Sequence, residues 1–74
     1  MSQIVELDAR DMEPPEPFVK TMEALEGLPA GERLRLLLRR EPHPLYRALD
    51  LNGFVWETTR TPDGVVEILI ARKS

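Results

Sequence analysis

Two short proline motifs constrain this chain more than anything else in it. The first, Met12-Glu13-Pro14-Pro15-Glu16-Pro17-Phe18, hands an extended segment over to a helix, and Arg40-Glu41-Pro42-His43-Pro44-Leu45 repeats the pattern further on. Each reads Pro-x-Pro followed by a large apolar residue. Proline fixes φ near the helical value and lacks the N–H that a first-turn residue would leave unpaired, so it suits a helix start and not a helix interior. The residue before each proline is pushed towards extended backbone, which marks the boundary from the other side. The sequence therefore predicts two strand-to-helix corners built alike.

The segments between these corners fill in the rest. Gln3–Asp8 alternates and is rich in β-branched residues, which predicts a first strand with Val5 and Leu7 inward. Pro15 to about Gly27 reads as a helix whose apolar face is Phe18, Met22 and Leu25, with Val19 beside them. Gly27, or the Leu28-Pro29-Ala30-Gly31 turn, ends it. Glu32–Arg39 is a second strand with Leu34, Leu36 and Leu38 on one face and Leu37 on the other. Leu45–Leu51 makes a short helix with Leu45, Ala48 and Leu49 inward, capped by Asn52-Gly53 in the left-handed region. Phe54–Arg60 and Val65–Arg72 form a closing hairpin across the turn Thr61-Pro62-Asp63-Gly64. Phe54 and Trp56 share one face of the third strand, and Val66, Ile68 and Ile70 share one face of the fourth.

The order is β-α-β-α-β-β. Right-handed crossovers put both helices on one face of a four-stranded mixed sheet, an α+β two-layer sandwich. The leucine-rich second strand and the fourth belong at the centre, leaving the first and third at the edges. Residues 1–74 read as one domain.

Composition excludes more chemistry than it suggests. The chain has no cysteine, so a disulfide, a thiolate metal site and a thiol nucleophile are all ruled out. The start Met1-Ser2-Gln3-Ile4-Val5-Glu6 lacks the basic and apolar runs of a signal peptide, and no apolar stretch approaches the roughly 20 residues of a membrane span. A cytoplasmic protein that avoids membranes is expected. The net charge of −3 is unevenly spread: residues 1–32 carry eight carboxylates against Arg10 and Lys20, whereas residues 33–74 carry eight basic residues against five acids. That balance disfavours a nucleic-acid surface over the whole molecule.

The order of residues resembles a known family. Leu7-Asp8-Ala9-Arg10, then Pro14-Pro15-Glu16-Pro17, a helix, Leu28-Pro29-Ala30-Gly31-Glu32, a leucine-rich strand and a closing hairpin are similar to the TusA/SirA-type sulfur carriers, along nearly the whole chain. The resemblance implies strand order 1-2-4-3. The hallmark of that family is Cys-Pro-x-Pro at the entry of the first helix, where the cysteine carries a persulfide. Here Pro14 stands in the position of the cysteine, and Pro15 and Pro17 fill the two prolines. The chain is therefore closer to the cysteine-free bacterial relatives of unknown function, which are often fused to hemerythrin-like domains and share the second corner, Arg40-Glu41-Pro42-His43-Pro44-Leu45-Tyr46. Proline offers no nucleophile to pass sulfur along.

The candidate site is the pair of corners. Both fall beyond the carboxyl ends of parallel strands, the edge at which open α/β sheets bind ligands. Glu13, Pro14, Pro15, Glu16 and Pro17 from the first corner, with Arg39, Arg40, Glu41, His43, Pro44 and Tyr46 from the second, would dock a protein partner or a small ligand. The plainer reading is that the prolines only pre-set two helix starts. The residues call for no cofactor and no catalytic group, so the leading expectation is a non-enzymatic accessory module, a monomer or weak dimer, in a redox or sulfur-related setting. Two alternatives stand beside it. One is a diverged metal-dependent or sulfur-handling protein in which His43, Glu41 and Glu13 converge on a metal. The other is a single-stranded RNA binder using Arg33, Arg35, Arg39, Arg40 and Arg47, with Tyr46 or Trp56 stacking on a base.

Overall fold

A computed structural model describes residues 3–73. Met1 and Ser2, which open the segment read above for a leader signature, lie outside the described residues. The elements run β1 (Ile4–Asp8), α1 (Glu16–Glu26), β2 (Arg33–Leu38), α2 (His43–Leu51), β3 (Phe54–Arg60) and β4 (Val66–Arg72). The sheet order is β1-β2-β4-β3, with β1 parallel to β2 and the two remaining pairings antiparallel.

Period-2 alternation sets the layers. In register, Val5 faces Leu34, Leu7 faces Leu36, and Leu34, Leu36 and Leu38 face Ile70, Ile68 and Val66 across the central pair. These central side chains are buried together with Leu25 and Leu28 from the first helical region and Leu45 and Leu49 from α2, so both helices lie on one face of the sheet. The opposite face carries Glu6, Arg35 and Glu67, joined by ion pairs of 4.0 and 2.9 Å centred on Arg35. Leu37 and Leu69 sit half-buried between these charges.

Several expectations about burial need correction. Val5 has the inward phase yet is 42% exposed, because an edge strand is flanked by one neighbour and α1 lies over β2 instead. Phe18 and Val19 are also exposed, and the face that α1 buries is Thr21 and Leu25, with Met22 and Ala24 partly covered. Thr21 tolerates full burial because its hydroxyl donates to the Pro17 carbonyl at 2.7 Å, one turn back. Ala48, expected inward beside Leu45 and Leu49, is only half-buried.

The helix ends fall where expected, with Gly27 closing α1 and Asn52-Gly53 closing α2, although the caps Gly27 and Asn52 are themselves not left-handed, with φ of −92° and −104°. The left-handed residues are Gly31 and Gly53 just beyond them, and Gly64 in the hairpin turn. Carbonyls at the end of α1 are satisfied from the far end of the chain, where the Arg72 guanidinium donates to Leu25 O at 3.0 Å and to Leu28 O at 3.0 Å. The same guanidinium lies over the Phe54 ring, 5.4 Å from its centroid. Asn52 Nδ2 does the corresponding work at the end of α2, donating to Ala48 O at 2.7 Å. The fourth strand starts at Val66, and Val65, expected in it, belongs to the turn, where its carbonyl accepts from Thr61 N–H at 2.9 Å.

Candidate functional site

Because β1 and β2 are parallel, their carboxyl ends emerge at one edge and bring the two proline corners together. In each, a proline caps the helix and a second proline is the second helical residue: Pro15 and Pro17 for α1, Pro42 and Pro44 for α2. The Pro14–Pro15 peptide is cis. Neither cap is made by a side chain. Glu16 N–H donates to the Glu13 carbonyl at 2.9 Å and Leu45 N–H to the Pro42 carbonyl at 2.9 Å. Proline rings and these turns thus absorb donors that a helix N-terminus would otherwise present to an anion.

What the corners create instead is an apolar cleft of about 250 Å³. Pro14, Pro15, Pro17 and Phe18 form one wall, and Pro42, Pro44 and Leu45 form the other. Leu36 and Leu38, from the end of β2, make the floor, and Arg40 and Glu41 are the charged residues on its lining. A second depression adjoins it on the β1 side, where Arg10, Glu13 and Arg39 are lining residues. Pro14, Pro17, Leu38 and Arg40 border both.

Electrostatics separates the charged groups of this region. Glu41 is already engaged, by Arg60 at 3.2 Å and by His43 at 3.6 Å. Arg39 pairs with Asp11 at 3.6 Å. Arg40 makes no ion pair and no side-chain hydrogen bond among the described residues. Ahead of the first corner, Arg10 grips the Asp8 carboxylate through two side-chain hydrogen bonds of 2.9 and 2.7 Å. Those bonds, and a third from the Arg10 backbone N–H, pull the Asp8 carboxyl down to a pKa of about 2.

The expected site residues therefore divide. Pro14, Pro15, Pro17, Arg40, Glu41 and Pro44 line the cleft, and Glu13 and Arg39 line the depression beside it. Glu16 lines neither. His43 is an exposed residue edge-on to Tyr46, at 5.9 Å between ring centroids. Tyr46 is committed to the fold: its ring stacks on Trp56 at 5.3 Å and 7°, and its hydroxyl hydrogen-bonds Thr58 at 2.8 Å. Sequence reasoning missed Leu36 and Leu38 as lining, having assigned them to the core, and did not single out Phe18, Pro42 and Leu45 within the two corners. The signal available for Phe18 was its place directly after the first Pro-x-Pro, at the corner rather than along the helix.

The same geometry bears on the two alternatives. His43 and Glu41 approach each other, but Glu13 does not join them, and no group of three metal-ligating side chains forms among the described residues. The arginines do not make one stripe. Arg33 and Arg35 project from the open face of β2, Arg39 and Arg40 stand at the corner, and Arg47 is on α2. Tyr46 and Trp56 stack on each other.

A two-layer α+β fold of two helices on a four-stranded sheet of order β1-β2-β4-β3 is shared with a SirA-like protein. A crystal structure of the SirA-like protein from Desulfitobacterium hafniense matches with a TM-score of 0.76 and 23% identity, over 100% of each chain. At the level of sequence, the family described as an uncharacterized conserved protein (DUF2249) matches residues 6–72, and the chain belongs to it. No curated protein matches. No helix among the described residues is long and apolar enough to cross a membrane.

Proposed function

We propose that this domain is a non-enzymatic binding module whose site is the cleft between the proline corners, where it receives an apolar group. The carrying observation is that two corners far apart in sequence enclose one cavity of about 250 Å³ with an almost wholly apolar lining. Cavities of roughly 150 Å³ with such walls hold benzene, so a larger ring or a short aliphatic chain fits here. The absence of a cysteine thiol supports binding rather than sulfur transfer. Pro14, which the family resemblance puts where sulfur carriers hold their cysteine, lines the cleft with a pyrrolidine ring in place of a thiol. On this reading the module keeps the docking geometry of a sulfur-related fold and has lost the sulfur-bearing atom.

The test is an amide NMR titration of the full chain with a neutral apolar probe, 3-phenylpropan-1-ol. Shifts centred on residues 18, 36, 38, 40, 41 and 45 are expected. Phe18→Ala, which removes one wall at an exposed position, should weaken the probe by about three- to tenfold while leaving the melting temperature nearly unchanged. Shifts scattered elsewhere, or a wall variant that binds as well as the parent, would refute the cleft as the site.

A further inference from the structure

Resting on that reading of the cleft, we infer that its ligand is a small hydrophobic carboxylic acid, with its apolar body against the proline and leucine walls and its carboxylate on Arg40. Three observations lead there.

The first is charge. Two ionic residues line the cleft, Arg40 and Glu41, and they are not equivalent. Glu41 is neutralised by Arg60 at 3.2 Å, with His43 also beside it at 3.6 Å. Arg40 has no carboxylate partner among the described residues, whereas the neighbouring Arg39 has one in Asp11. The cleft thus presents one uncommitted positive charge at an apolar wall. A guanidinium matches a carboxylate through two parallel N–H···O bonds, a geometry that a lone cation or a neutral ligand does not use.

The second is the scarcity of backbone donors. Five of the lining residues are prolines, Pro14, Pro15, Pro17, Pro42 and Pro44, and none has an N–H. An extended peptide brings a donor and an acceptor for every residue, and each must be satisfied once water is displaced. Walls built from proline rings satisfy few of them. A small molecule with a single polar head has no such demand, so the lining favours a compact acid over a peptide.

The third is size. At about 250 Å³ the cleft takes up one ring or a short chain beside the head group. The ligand class is therefore an aryl- or alkyl-substituted short-chain acid rather than a long fatty acid or a nucleotide.

The experiment compares three probes with one body and three heads, 3-phenylpropionate, 3-phenylpropan-1-ol and 3-phenylpropylamine, each titrated into the labelled full chain. The acid is expected to bind about tenfold more tightly than the alcohol, as a charge-assisted bidentate contact on a solvent-accessible rim would give. The amine is expected to bind more weakly than the alcohol. Arg40→Gln should bring the acid down to the level of the alcohol and leave the alcohol unchanged. Arg40→Lys should fall between, keeping the charge and losing the fork.

Equal binding of acid and alcohol, or an acid preference that survives Arg40→Gln, overturns the assignment of the ligand class while the cleft itself stands as a binding site. Silence of residues 18, 36, 38, 40, 41 and 45 to all three probes overturns both readings together. An acetylated tripeptide ending in phenylalanine that binds more tightly than phenylpropionate would replace the small acid by a peptide C-terminus.

Discussion

The two proline corners are near copies in sequence and opposites in packing. Aligned from their caps, Pro15-Glu16-Pro17-Phe18 corresponds to Pro42-His43-Pro44-Leu45, and each helix starts at the second residue of the four. Yet Leu45 is 2% exposed and Phe18 is 39% exposed. In α2 the fully buried positions are Leu45 and Leu49, the third and seventh helical residues; in α1 they are Thr21 and Leu25, the sixth and tenth. At 100° per residue, a shift of three positions leaves α1 turned by roughly 60° about its own axis relative to α2. The same motif thus starts both helices, while the rotation decides whether the residue after it is buried in the core, as Leu45 is, or stays exposed beside the cleft, as Phe18 does. Two equally turned helices would both bury that residue and leave the cleft without its aromatic wall.

Truncation at the two equivalent positions should expose this contrast most strongly. Leu45→Ala leaves a cavity in the core and should cost about 2–5 kcal/mol, read as a fall in the urea midpoint, whereas Phe18→Ala should cost about 1 kcal/mol or less. Equal costs would break the comparison. The helix ends offer the next effect. Arg72→Met strips the Leu25 and Leu28 carbonyls of their side-chain donor and should cost about 1–3 kcal/mol, while Asn52→Ala, at a more exposed end, should cost less in the same denaturation series. Tyr46→Phe removes only the hydroxyl contact to Thr58 and should cost about 0.5–1.5 kcal/mol, sharpening the claim that Tyr46 serves the fold. It should also leave probe binding in the cleft unchanged.

The smallest effect separates the ion pairs beside the corners. Asp8 has its folded pKa depressed to about 2 from an ordinary 3.8. Its pairing with Arg10 therefore contributes fully above pH 3.8, and the contribution is lost as the pH falls from there towards 2. Because the pair is solvent-accessible, it should show only as a slight difference between the parent and Asp8→Asn in melts across that window, with the two converging at its acid end.

How much of this was legible beforehand follows from which forces are local. Strand phases were readable because a period of two is set by the backbone alone, so the leucines of β2 and the isoleucines of β4 fell where expected. Helix starts were readable because proline geometry is local as well. The rotation of α1 was not. Phe18, Met22 and Leu25 make a plausible apolar face, and only the packing of Thr21 and Leu25 onto the sheet shows that Phe18 lies off it. A buried threonine was invisible for a related reason: its hydroxyl is satisfied by its own helix, which an apolar pattern does not register. Arg72, whose carbonyl partners lie 44 and 47 positions away, carries no short-range signal at all. In the site, charge type was legible, but the fact that decides it, Glu41 being occupied and Arg40 not, depends on Arg60 reaching across from β3.

The thin cover of β1 has a consequence in time rather than space. It is paired along one side only, Ile4 and Val5 are substantially exposed, and its five residues are joined to the rest by one parallel ladder. A segment so placed detaches without disturbing the hairpin or the leucine core, so its amides exchange with solvent through brief local opening. Those of β2 that face β4, and of β4 itself, wait for the whole domain to unfold. The strand leading into the first corner therefore opens more readily than the central pair β2 and β4, and each excursion loosens the chain leading to one wall of the cleft.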